Sequence, residues 1–444
     1  MAPEDVVIGI RREDKNRWER RVALTPEHVA ELTRHGLRVL VQPSPVRAFP
    51  DEAFRRAGAA VCEDLAPCTL VVGVKEIPVE ALLPGATYMF FAHVAKGQPG
   101  NMPMLRRLLE LGCTLVDYEK IVDDRGRRLV FFGRHAGIAG MLDTLWALGR
   151  RLSEQGVDSP FAAMKLAHEY ADLEEAHVAL DRLADDIRGG GLPEALHPIV
   201  VGFTGSGHTS RGAQEILDHL PHEDVLPEDL ANLLRDPDYP RNLLYKVVFS
   251  RADRVRRIDG GPCDPAALAS DPAAFASSMG SYLPHLTALV NGVYWEPGQP
   301  RVVSVADLRA LWAAPGAPRL RVIADIACDV GGSVEATIRI TTPGDPVFVY
   351  DVDRGDAVSG VSGRGPVILA VDNLPCQLPV DASEHFGDGL LRFLPVLARC
   401  DWAKPFAQLE IPPEIRGAVI VHRGRLTPAY NHLARHLAGT ASAR

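Results

Sequence analysis

Three residues suited to proton transfer come shortly after apolar runs that are typical of strands: Lys75, His93 and Glu119. A histidine side chain ionises close to neutral pH, so His93 suits general acid–base catalysis without special surroundings. A lysine acts as a base only where burial or nearby positive charge lowers its pKa, so Lys75 needs such a setting. Without further information, either residue is as readily structural: a solvated strand-end lysine and a hydrogen-bonded core histidine.

Charged residues close to this pair could bind a charged substrate. Arg21 lies in a charged loop after the first apolar run, and its planar guanidinium can bind a carboxylate through two hydrogen bonds. Arg12 and Arg20 lie in the same loop and are alternatives. Glu76 and Glu119 could bind a substrate amine or alter the pKa of the neighbouring lysine, although each could equally be structural.

A glycine turn between an apolar run and a helix-like segment indicates a dinucleotide-binding loop. The apolar run covers residues 199–204, and the helix-like segment begins near Ala213. Glycine permits the positive φ of a tight turn and lets the backbone approach a pyrophosphate at the helix N-terminus. Serine stands at the third fingerprint position, so an ordinary strand-to-helix turn remains the alternative. The candidate cofactor-binding residues of this loop are Gly205, Ser206, Gly207, Ser210 and Arg211.

The elements that position these residues alternate between strand and helix. Apolar runs predict strands over residues 6–10, 37–41, 69–74, 87–91 and 114–116, with helices over residues 26–36, 54–58 and 104–111 between them. This alternation predicts an α/β fold with a parallel sheet. Ligands of such sheets bind beyond the carboxyl ends of the strands, so we expect Lys75, His93 and Glu119 to share one edge.

The second half of the chain repeats this pattern. Residues 137–152 are apolar nearly all round, which predicts a buried helix near the passage between two lobes. An amphipathic helix is expected around residues 180–187, and strands are expected within residues 287–297, 321–326 and 367–372. A helical segment around residues 390–394 follows.

The bulk composition excludes several classes of protein. With 444 residues, 46% hydrophobic and 24% charged, the chain has the composition of a globular protein of two or three domains. A net charge of -9 argues against nucleic acid as the main partner. The seven cysteines are scattered without a C-x-x-C pair, which favours reduced thiols, no metal site and a cytoplasmic location. No apolar run is long enough for a membrane span, and the N-terminus lacks a signal-peptide segment.

Residues 19–26 (ERRVALTP) resemble the alanine dehydrogenase and transhydrogenase superfamily, which includes saccharopine dehydrogenases. Further stretches resemble lysine–ketoglutarate reductase, the saccharopine-forming half of aminoadipic semialdehyde synthase. They are residues 9–14 (GIRRED), 72–75 (VGVK), 117–120 (DYEK), 203–207 (FTGSG), 291–296 (NGVYWE), 331–335 (GGSVE) and 372–379 (DNLPCQLP). The resemblance runs from about residue 6 to about residue 420, and its motifs are specific only jointly.

The resemblance implies two Rossmann-like lobes, of which the first is discontinuous in sequence. Residues 1–150 plus 375–444 would form the substrate lobe, and residues 151–374 the NAD(P)-binding lobe. The implied reaction is the NADPH-dependent condensation of L-lysine with 2-oxoglutarate to saccharopine, or its reverse. Since the chain stops at Arg444, we expect the onward oxidation of saccharopine to belong to another chain.

The resemblance also assigns roles to individual residues. Lys75 and His93 would be the catalytic acid–base pair, and Arg21 would contact a substrate carboxylate. Asp329 would lie near the nicotinamide, and Asn291 would belong to the cofactor-binding set. No Ser-His-Asp arrangement or metal-binding spacing competes with this assignment.

Cofactor choice stays open at the level of sequence. An acidic residue about 20 residues beyond the glycines usually marks NAD preference. Four residues meet that description: Glu223, Asp224, Glu228 and Asp229. The family of the resemblance uses NADPH, whose 2′-phosphate would meet Arg211 or Arg251. We therefore expect NADPH, with NADH possible.

Three alternative functions remain at this point. The chain could be an NAD-dependent, lysine-forming saccharopine dehydrogenase, an alanine dehydrogenase-like enzyme, or a nucleotide-binding sensor that has lost catalysis. The expected partners are small molecules (lysine, 2-oxoglutarate and saccharopine) and further copies of the chain in a homo-oligomer. No nucleic acid or membrane partner is expected. The direction of the reaction in the cell and the oligomeric state are not predicted.

Overall fold

The computed structural model describes residues 6–438. Eighteen strands lie in this range. They are β1 (Val7–Ile10), β2 (Arg38–Val41), β3 (Ala60–Val61), β4 (Leu70–Val72), β5 (Thr87–Phe90), β6 (Thr114–Asp117), β7 (Val200–Thr204), β8 (His222–Asp224), β9 (Leu244–Phe249), β10 (Val255–Arg257), β11 (Phe275–Ser277), β12 (Ala288–Asn291), β13 (Val322–Asp325), β14 (Val347–Asp351), β15 (Asp356–Ser359), β16 (Val367–Leu369), β17 (Val419–His422) and β18 (Arg425–Leu426).

Fourteen α-helices lie in the same range. They are α1 (Pro26–Arg34), α2 (Asp51–Arg56), α3 (Met102–Glu110), α4 (Gly133–Glu154), α5 (Leu173–Arg188), α6 (His208–Leu217), α7 (Leu230–Leu233), α8 (Arg251–Arg254), α9 (Pro265–Ser270), α10 (Val305–Ala313), α11 (Pro379–Leu391), α12 (Leu394–Arg399), α13 (Pro413–Arg416) and α14 (Ala434–Ala438). Short 3₁₀ turns connect several of them.

The chain divides into two compact units. The first unit contains the residues up to Phe132 and those from Pro379 onward, and the second contains Gly133–Leu378. The first unit is therefore discontinuous, as expected. Its boundary falls before α4 rather than near residue 150, because Gly137 of α4 packs against the backbone of α6 in the second unit. The second boundary lies at Leu378, close to the expected residue 374.

The first unit contains an eight-stranded sheet in the order β18-β17-β6-β5-β4-β1-β2-β3. The strands β1 to β6 are parallel, while β17 and β18 form an antiparallel hairpin beside β6. Every residue of β1, β4, β5 and β6 is buried, as in parallel sheets that helices cover. The register aligns Ile10 with Val72, Val72 with Met89, and Phe90 with Asp117, so four strands end at one edge.

The second unit contains another eight-stranded sheet, in the order β15-β14-β16-β13-β12-β7-β9-β8. Six strands are parallel, and β14 and β15 run antiparallel beside β16. A separate two-stranded sheet, β10-β11, lies between β9 and β12 in sequence. The expected α/β fold with two parallel-sheet lobes is confirmed. The two antiparallel hairpins were not predicted from the sequence, nor were the strands β3, β8, β9, β10 and β11.

Candidate active site

The predicted acid–base residues follow neighbouring parallel strands of the first unit. Lys75 comes after β4, His93 after β5 and Glu119 after β6, and these three strands are adjacent in the sheet. The carboxyl ends of β4, β5 and β6 are in register. The structure therefore brings the three residues to one edge of the sheet, as the strand pattern predicts.

His93 is held by three contacts and has an unusual backbone. Its φ is +49°, a left-handed conformation that non-glycine residues seldom adopt. Its Nδ1 lies 2.5 Å from Oε1 of Glu76, and its ring stacks on Phe91 at 6.0 Å between centroids. The side-chain amide of Asn101 donates to the His93 carbonyl at 3.2 Å.

Glu76 determines which nitrogen of His93 can react. Burial alone would raise the pKa of Glu76, but the hydrogen bond and charge of His93, together with Lys15, lower it to about 2. An ionised carboxylate only accepts hydrogen bonds, so Nδ1 carries the hydrogen in this contact. Nε2 makes no hydrogen bond in the described chain, and it is the nitrogen available to a substrate.

Lys75 has the environment that a catalytic base requires. Burial lowers its pKa, and the positive charges of Arg21 and Lys15 lower it further, against the opposing effect of Glu19 and Glu76. Within residues 6–438 its ammonium group makes no ion pair. A lysine in such a setting gives up its proton more readily than a solvated one, so the alternative of a solvated strand-end lysine does not describe it.

Glu13 holds the main chain at Lys75. Its two carboxylate oxygens accept hydrogen bonds from the backbone N–H groups of Val74 (2.7 Å) and Lys75 (2.9 Å). Burial and the negative charge of Glu19 raise the pKa of Glu13 to about 7, although the two N–H groups oppose that rise. The sequence analysis did not single out Glu13; the signal was a carboxylate in the charged loop directly after β1.

Arg21 is almost completely buried and forms an ion pair. Its guanidinium donates to both carboxylate oxygens of Glu19 at 2.7 and 2.5 Å and lies 4.1 Å above the ring of Phe132. Both Arg21 and Glu19 have less than 3% of their surface exposed. A substrate carboxylate would have to share this guanidinium with Glu19. The carboxylate-binding role of Arg21 stays a prediction.

The third strand end contains two carboxylates with different surroundings. Oε1 of Glu119 lies 2.9 Å from the guanidinium of Arg128, an ion pair that the sequence analysis did not foresee. Oδ1 of Asp117 accepts from the Glu119 N–H, whereas its Oδ2 is buried and has no hydrogen-bond partner among the described residues. Burial raises the pKa of Asp117 to about 7. Asp117 was missed because it looks like the last residue of an apolar strand.

In the second unit, the glycine turn has the geometry expected of a phosphate-binding loop. Gly205 has φ of +81°, and a Cβ there would lie 2.6 Å from Val293. Gly207 directly precedes α6, and a Cβ at this position would meet nothing within 4 Å. The backbone at the helix N-terminus is therefore accessible to a pyrophosphate. Ser206 and Arg211 are exposed, whereas Ser210 is buried and accepts a hydrogen bond from Gln214 at 3.0 Å.

The fingerprint is completed by contacts between helices. A Cβ on Gly212 would lie 2.1 Å from the carbonyl oxygen of Arg134, and one on Gly137 would lie 2.0 Å from that of Thr209. Glycine is required at both positions because α4 and α6 touch through their backbones. Gly212 thus provides the close packing that the fingerprint usually obtains from its third glycine.

Asn291 lies at the centre of a buried polar network. Its oxygen accepts from Thr204 at 2.7 Å, and its amide donates to Asp325 at 2.8 Å and to Ser333 at 2.7 Å. Thr337 donates to the other oxygen of Asp325 at 2.7 Å. These bonds use both N–H groups of Asn291, so its side chain has no donor left for a cofactor. The cofactor-binding role of Asn291 stays a prediction, and it would act through the backbone.

Asp329 lies in the loop that this network anchors. It is exposed and follows Cys328, whose φ is +54°. The next loop residues, Gly331 and Gly332, accept hydrogen bonds from the guanidinium of Arg301. The proximity of Asp329 to a nicotinamide stays a prediction.

The strand order of the second unit shifts the expected ribose-binding position from the end of β8 to the end of β9. The strand next to β7 is β9, whose last residue, Phe249, pairs with Thr204 at the end of β7. Glu223 and Asp224 belong to the edge strand β8, where Asp224 pairs with the middle of β9. The residues that follow the neighbouring strand are therefore those of α8, beginning with Arg251.

A pocket beside α8 has a positively charged wall. Its lining includes Arg251, Arg254, Val293, Tyr294 and Trp295. In the part of the chain that the structure describes, Nε of Arg254 has no hydrogen-bond partner. Burial and the charge of Arg251 lower the pKa of Arg254. Two adjacent guanidinium groups at this position suit a phosphate rather than a ribose hydroxyl alone.

No group of three or more metal-ligating side chains comes together among the described residues. None of the described helices combines the length and apolar character needed to cross a bilayer.

Comparison with known proteins identifies the family. The alanine dehydrogenase/PNT N-terminal domain family matches residues 9–139, and the corresponding C-terminal domain family matches residues 318–429. Among solved structures, an L-alanine dehydrogenase shares the fold with a TM-score of 0.62 at 19% identity, covering 97% of this chain and 99% of the other. A transhydrogenase from Sinorhizobium meliloti gives 0.52 at 14% identity, covering 95% of this chain and all of the other.

The curated relatives are more similar in sequence. The mitochondrial alpha-aminoadipic semialdehyde synthase of Mus musculus is 36% identical over 97% of this chain, and that of Arabidopsis thaliana is 35% identical over 97%. The chain spans 48% and 41% of these two proteins. The NAD(+), L-lysine-forming saccharopine dehydrogenase of Neurospora crassa is 30% identical over 90% of this chain and 93% of its own length. The chain belongs to the saccharopine dehydrogenase family of pyridine-nucleotide-dependent oxidoreductases.

Proposed function

We propose that the chain condenses the side-chain amine of L-lysine with the keto group of 2-oxoglutarate and reduces the product to saccharopine. One observation carries the proposal: a lysine with a lowered pKa and a histidine oriented by an ionised glutamate follow adjacent strands of one sheet. The family supports the same chemistry, since its members named above include saccharopine dehydrogenases.

The two residues divide the proton transfers of the reaction. The attacking amine must lose a proton, and Lys75, which burial and nearby cations keep weakly basic, accepts it. The carbinolamine must then lose water, and His93 in its imidazolium form donates the Nε2 proton to the departing hydroxyl, which leaves the neutral ring with its hydrogen on Nδ1. A bound nicotinamide cofactor would supply the hydride needed to reduce the resulting imine. Glu76 accepts from Nδ1 in both forms of His93, so that Nε2 is the nitrogen that exchanges the proton.

The proposal of NADPH rests on the residues that follow β9. Arg251 and Arg254 lie where a dinucleotide fold places the residue that meets the adenosine ribose, and their charges suit a 2′-phosphate. Arg211, exposed in the first turn of α6, is a second candidate for that contact. The acidic alternatives Glu223 and Asp224 lie on the edge strand β8.

A second candidate is the reverse reaction with NAD, which forms lysine from saccharopine. The name of the Neurospora crassa relative favours it, because that protein spans almost the same length as this chain. Both candidates use the same acid–base residues and differ in cofactor and direction. Homo-oligomerisation and the cytoplasmic location remain predictions.

The test is a matrix of substrates and cofactors on the purified chain. NADPH and NADH are each supplied with lysine plus 2-oxoglutarate and with pyruvate plus ammonia, and loss of absorbance of the reduced cofactor is followed. NAD and NADP are supplied with saccharopine, alanine and lysine. We expect the fastest turnover with lysine, 2-oxoglutarate and NADPH. Turnover with pyruvate and ammonia alone would assign an alanine dehydrogenase activity, and cofactor binding without any turnover would assign a sensor.

A further inference from the structure

Two side chains in the first unit form hydrogen bonds with backbone atoms at the proposed catalytic residues Lys75 and His93. Neither forms a hydrogen bond with the Lys75 or His93 side chain within the described residues. The first is Glu13, which is 7% exposed. Its carboxylate accepts from the N–H groups of Val74 and Lys75, and it makes no other side-chain hydrogen bond in the described chain. Glu13 thereby ties the turn after β4 to the loop after β1, and fixes where the Lys75 side chain begins.

The contact of Glu13 is distinct from the electrostatic control of Lys75. The charges that act most strongly on the Lys75 ammonium are those of Arg21, Lys15, Glu19 and Glu76. Glu13 is not among them, although its carboxylate lies at the Lys75 backbone. A buried carboxylate costs solvation free energy that two N–H donors only partly offset. Its presence is explained by what it positions rather than by a contribution to stability.

The second side chain is Asn101, which immediately precedes α3. Its amide donates to the carbonyl oxygen of His93 at 3.2 Å. The left-handed backbone of His93 is unfavourable for a residue with a Cβ and persists only where neighbouring groups impose it. Asn101 supplies such a constraint from outside the imidazole, whereas Glu76 acts on the ring itself.

We propose that Glu13 and Asn101 are positioning residues, which set the reach of Lys75 and His93 through the main chain without contacting the substrate. The inference rests on the proposed acid–base roles of Lys75 and His93. A displacement of about 1 Å costs on the order of 10²-fold in rate when reacting groups must be aligned. Loss of either contact should therefore lower kcat and leave substrate binding nearly unchanged.

The first experiment separates kcat from KM. We expect Glu13→Gln, which replaces one acceptor by a donor, and Asn101→Ala each to lower kcat about 30-fold, with KM for lysine within about twofold of wild type. The pKa values read from the pH–rate profile should not move. Glu169→Gln is the matched control, because Glu169 also accepts from a backbone N–H, at Leu166 in the other unit. The inference is overturned if Glu13→Gln and Asn101→Ala both keep the wild-type kcat. It is also overturned if the control Glu169→Gln loses as much kcat as they do.

The second experiment uses chemical rescue. Lys75→Ala is supplied with ethylamine, and His93→Ala with imidazole, until activity partly returns. A free amine is not attached to the turn that Glu13 holds, so adding Glu13→Gln in the rescued background should cost less than about twofold. Likewise, adding Asn101→Ala to His93→Ala rescued by imidazole should cost less than about twofold in activity. A 30-fold loss that persists in the rescued enzymes overturns the inference, because the residue then acts by another route.

Two outcomes distinguish this inference from the proposed function. Full activity of Lys75→Ala without ethylamine refutes the assigned role of Lys75, whatever Glu13 does. Suppose that Lys75→Ala loses activity and ethylamine restores it, while Glu13→Gln has wild-type kcat. That result refutes the positioning inference and leaves the proposed function standing. If Glu13→Gln does not fold, Glu13→Asp keeps both acceptor oxygens at a shorter reach. It should lose about tenfold in kcat, and that loss should again vanish under ethylamine rescue.

Discussion

In each unit the first strand of the sheet lies between the fourth strand and one further strand. In the first unit that further neighbour of β1 is β2, the second strand of its sheet along the chain. In the second unit the corresponding neighbour of β7 is β9, the third strand of its sheet along the chain. The two sheets otherwise share five parallel strands around a central first strand and an antiparallel hairpin at one edge. Because the second and third strands exchange places, a different loop follows the strand that neighbours the first one. A spacing rule derived from one strand order therefore points to different residues in the other.

The ends of the strands also differ in how their polar groups are satisfied. Asp117 in the first unit and Asp325 in the second are both buried carboxylates at the last residue of a parallel strand. Both oxygens of Asp325 accept hydrogen bonds, whereas one oxygen of Asp117 has no hydrogen-bond partner within residues 6–438. Burial raises the pKa of Asp325 to about 6 and that of Asp117 to about 7. At these strand ends, Asp117 lies in the same sheet edge as Lys75 and Glu76, whose pKa values are also altered, whereas the network around Asp325 anchors a loop.

The largest expected effect tests whether chemistry belongs to the first unit. Lys75→Met should lower kcat about 10³-fold, because it removes the general base while leaving the cofactor-binding unit intact. Cofactor affinity, measured by calorimetry, should stay within about twofold. Lys404→Met is the matched control, since Lys404 is a half-exposed lysine of the same unit, paired with Glu410. Equal losses in the two variants would contradict the assignment.

A pH titration tests the contrast between the two buried aspartates. The folded pKa of Asp117 is about 7 and the unfolded one about 3.9, so the folded state holds the proton more tightly. The free energy of unfolding should therefore fall as pH rises from about 4 to about 7, by about 3–4 kcal/mol from this group. Asp117→Asn should lack that fall in urea unfolding.

The control for this titration is Asp123→Asn. Asp123 accepts from the backbone N–H of Arg127, which lowers its pKa instead of raising it. This variant should retain the fall seen in wild type between pH 4 and pH 7. A wild-type curve parallel to that of Asp117→Asn would mean that Asp117 is ionised in the folded protein without penalty.

The strand exchange predicts where cofactor preference is decided. Arg251→Glu should lower the ratio of kcat/KM for NADPH to that for NADH about 10- to 100-fold, the cost of replacing an attractive phosphate contact by a repulsive one. Glu223→Gln, on the edge strand, should leave the ratio within about twofold. A larger effect at Glu223 would show that β8, not β9, carries the recognition.

The smallest expected effect concerns the contact between helices. Gly212→Ala places a Cβ against the Arg134 carbonyl and should destabilise the protein by about 1–2 kcal/mol, after the helix propensity of alanine offsets part of the strain. Gly207→Ala meets open space, so its unfolding free energy should stay within about 0.5 kcal/mol of wild type. Its cost should appear in cofactor affinity instead. Thermal and urea unfolding with cofactor titration separate the two variants.

Much of the fold follows from periodicity. The apolar runs before Lys75, His93 and Gly205 are buried parallel strands, because near-continuous apolar runs occur where helices cover both faces of a sheet. The hairpins β14-β15 and β17-β18 were not predicted, although β14 and β17 are almost entirely buried. Their outer strands, β15 and β18, are exposed or half-buried and leave no such signal. The position of β9 beside β7 depends on long-range pairing that local sequence does not encode.

The sequence indicated the candidate reactive groups but not the residues that support them. Lys75, His93 and Glu76 were singled out because their types and positions suit acid–base chemistry, and their roles stay predictions. Glu13 and Asn101 act on main-chain atoms, and any loop carboxylate or amide has the same local pattern. The pairing of Arg21 with Glu19 was also missed, because two charges in one loop do not reveal whether they turn toward each other.

The backbone contact between α4 and α6 has a consequence for how the protein tolerates change. Carbonyl oxygens of Arg134 and Thr209 occupy the space that side chains would fill at Gly212 and Gly137. The position of the start of α6 against α4 is therefore set by contacts between backbone atoms, which do not depend on side-chain type. Substitutions among the neighbouring apolar residues can alter packing volume while the glycine turn before α6 keeps its place. We therefore expect Gly137 and Gly212 to tolerate substitution less than the larger side chains around them.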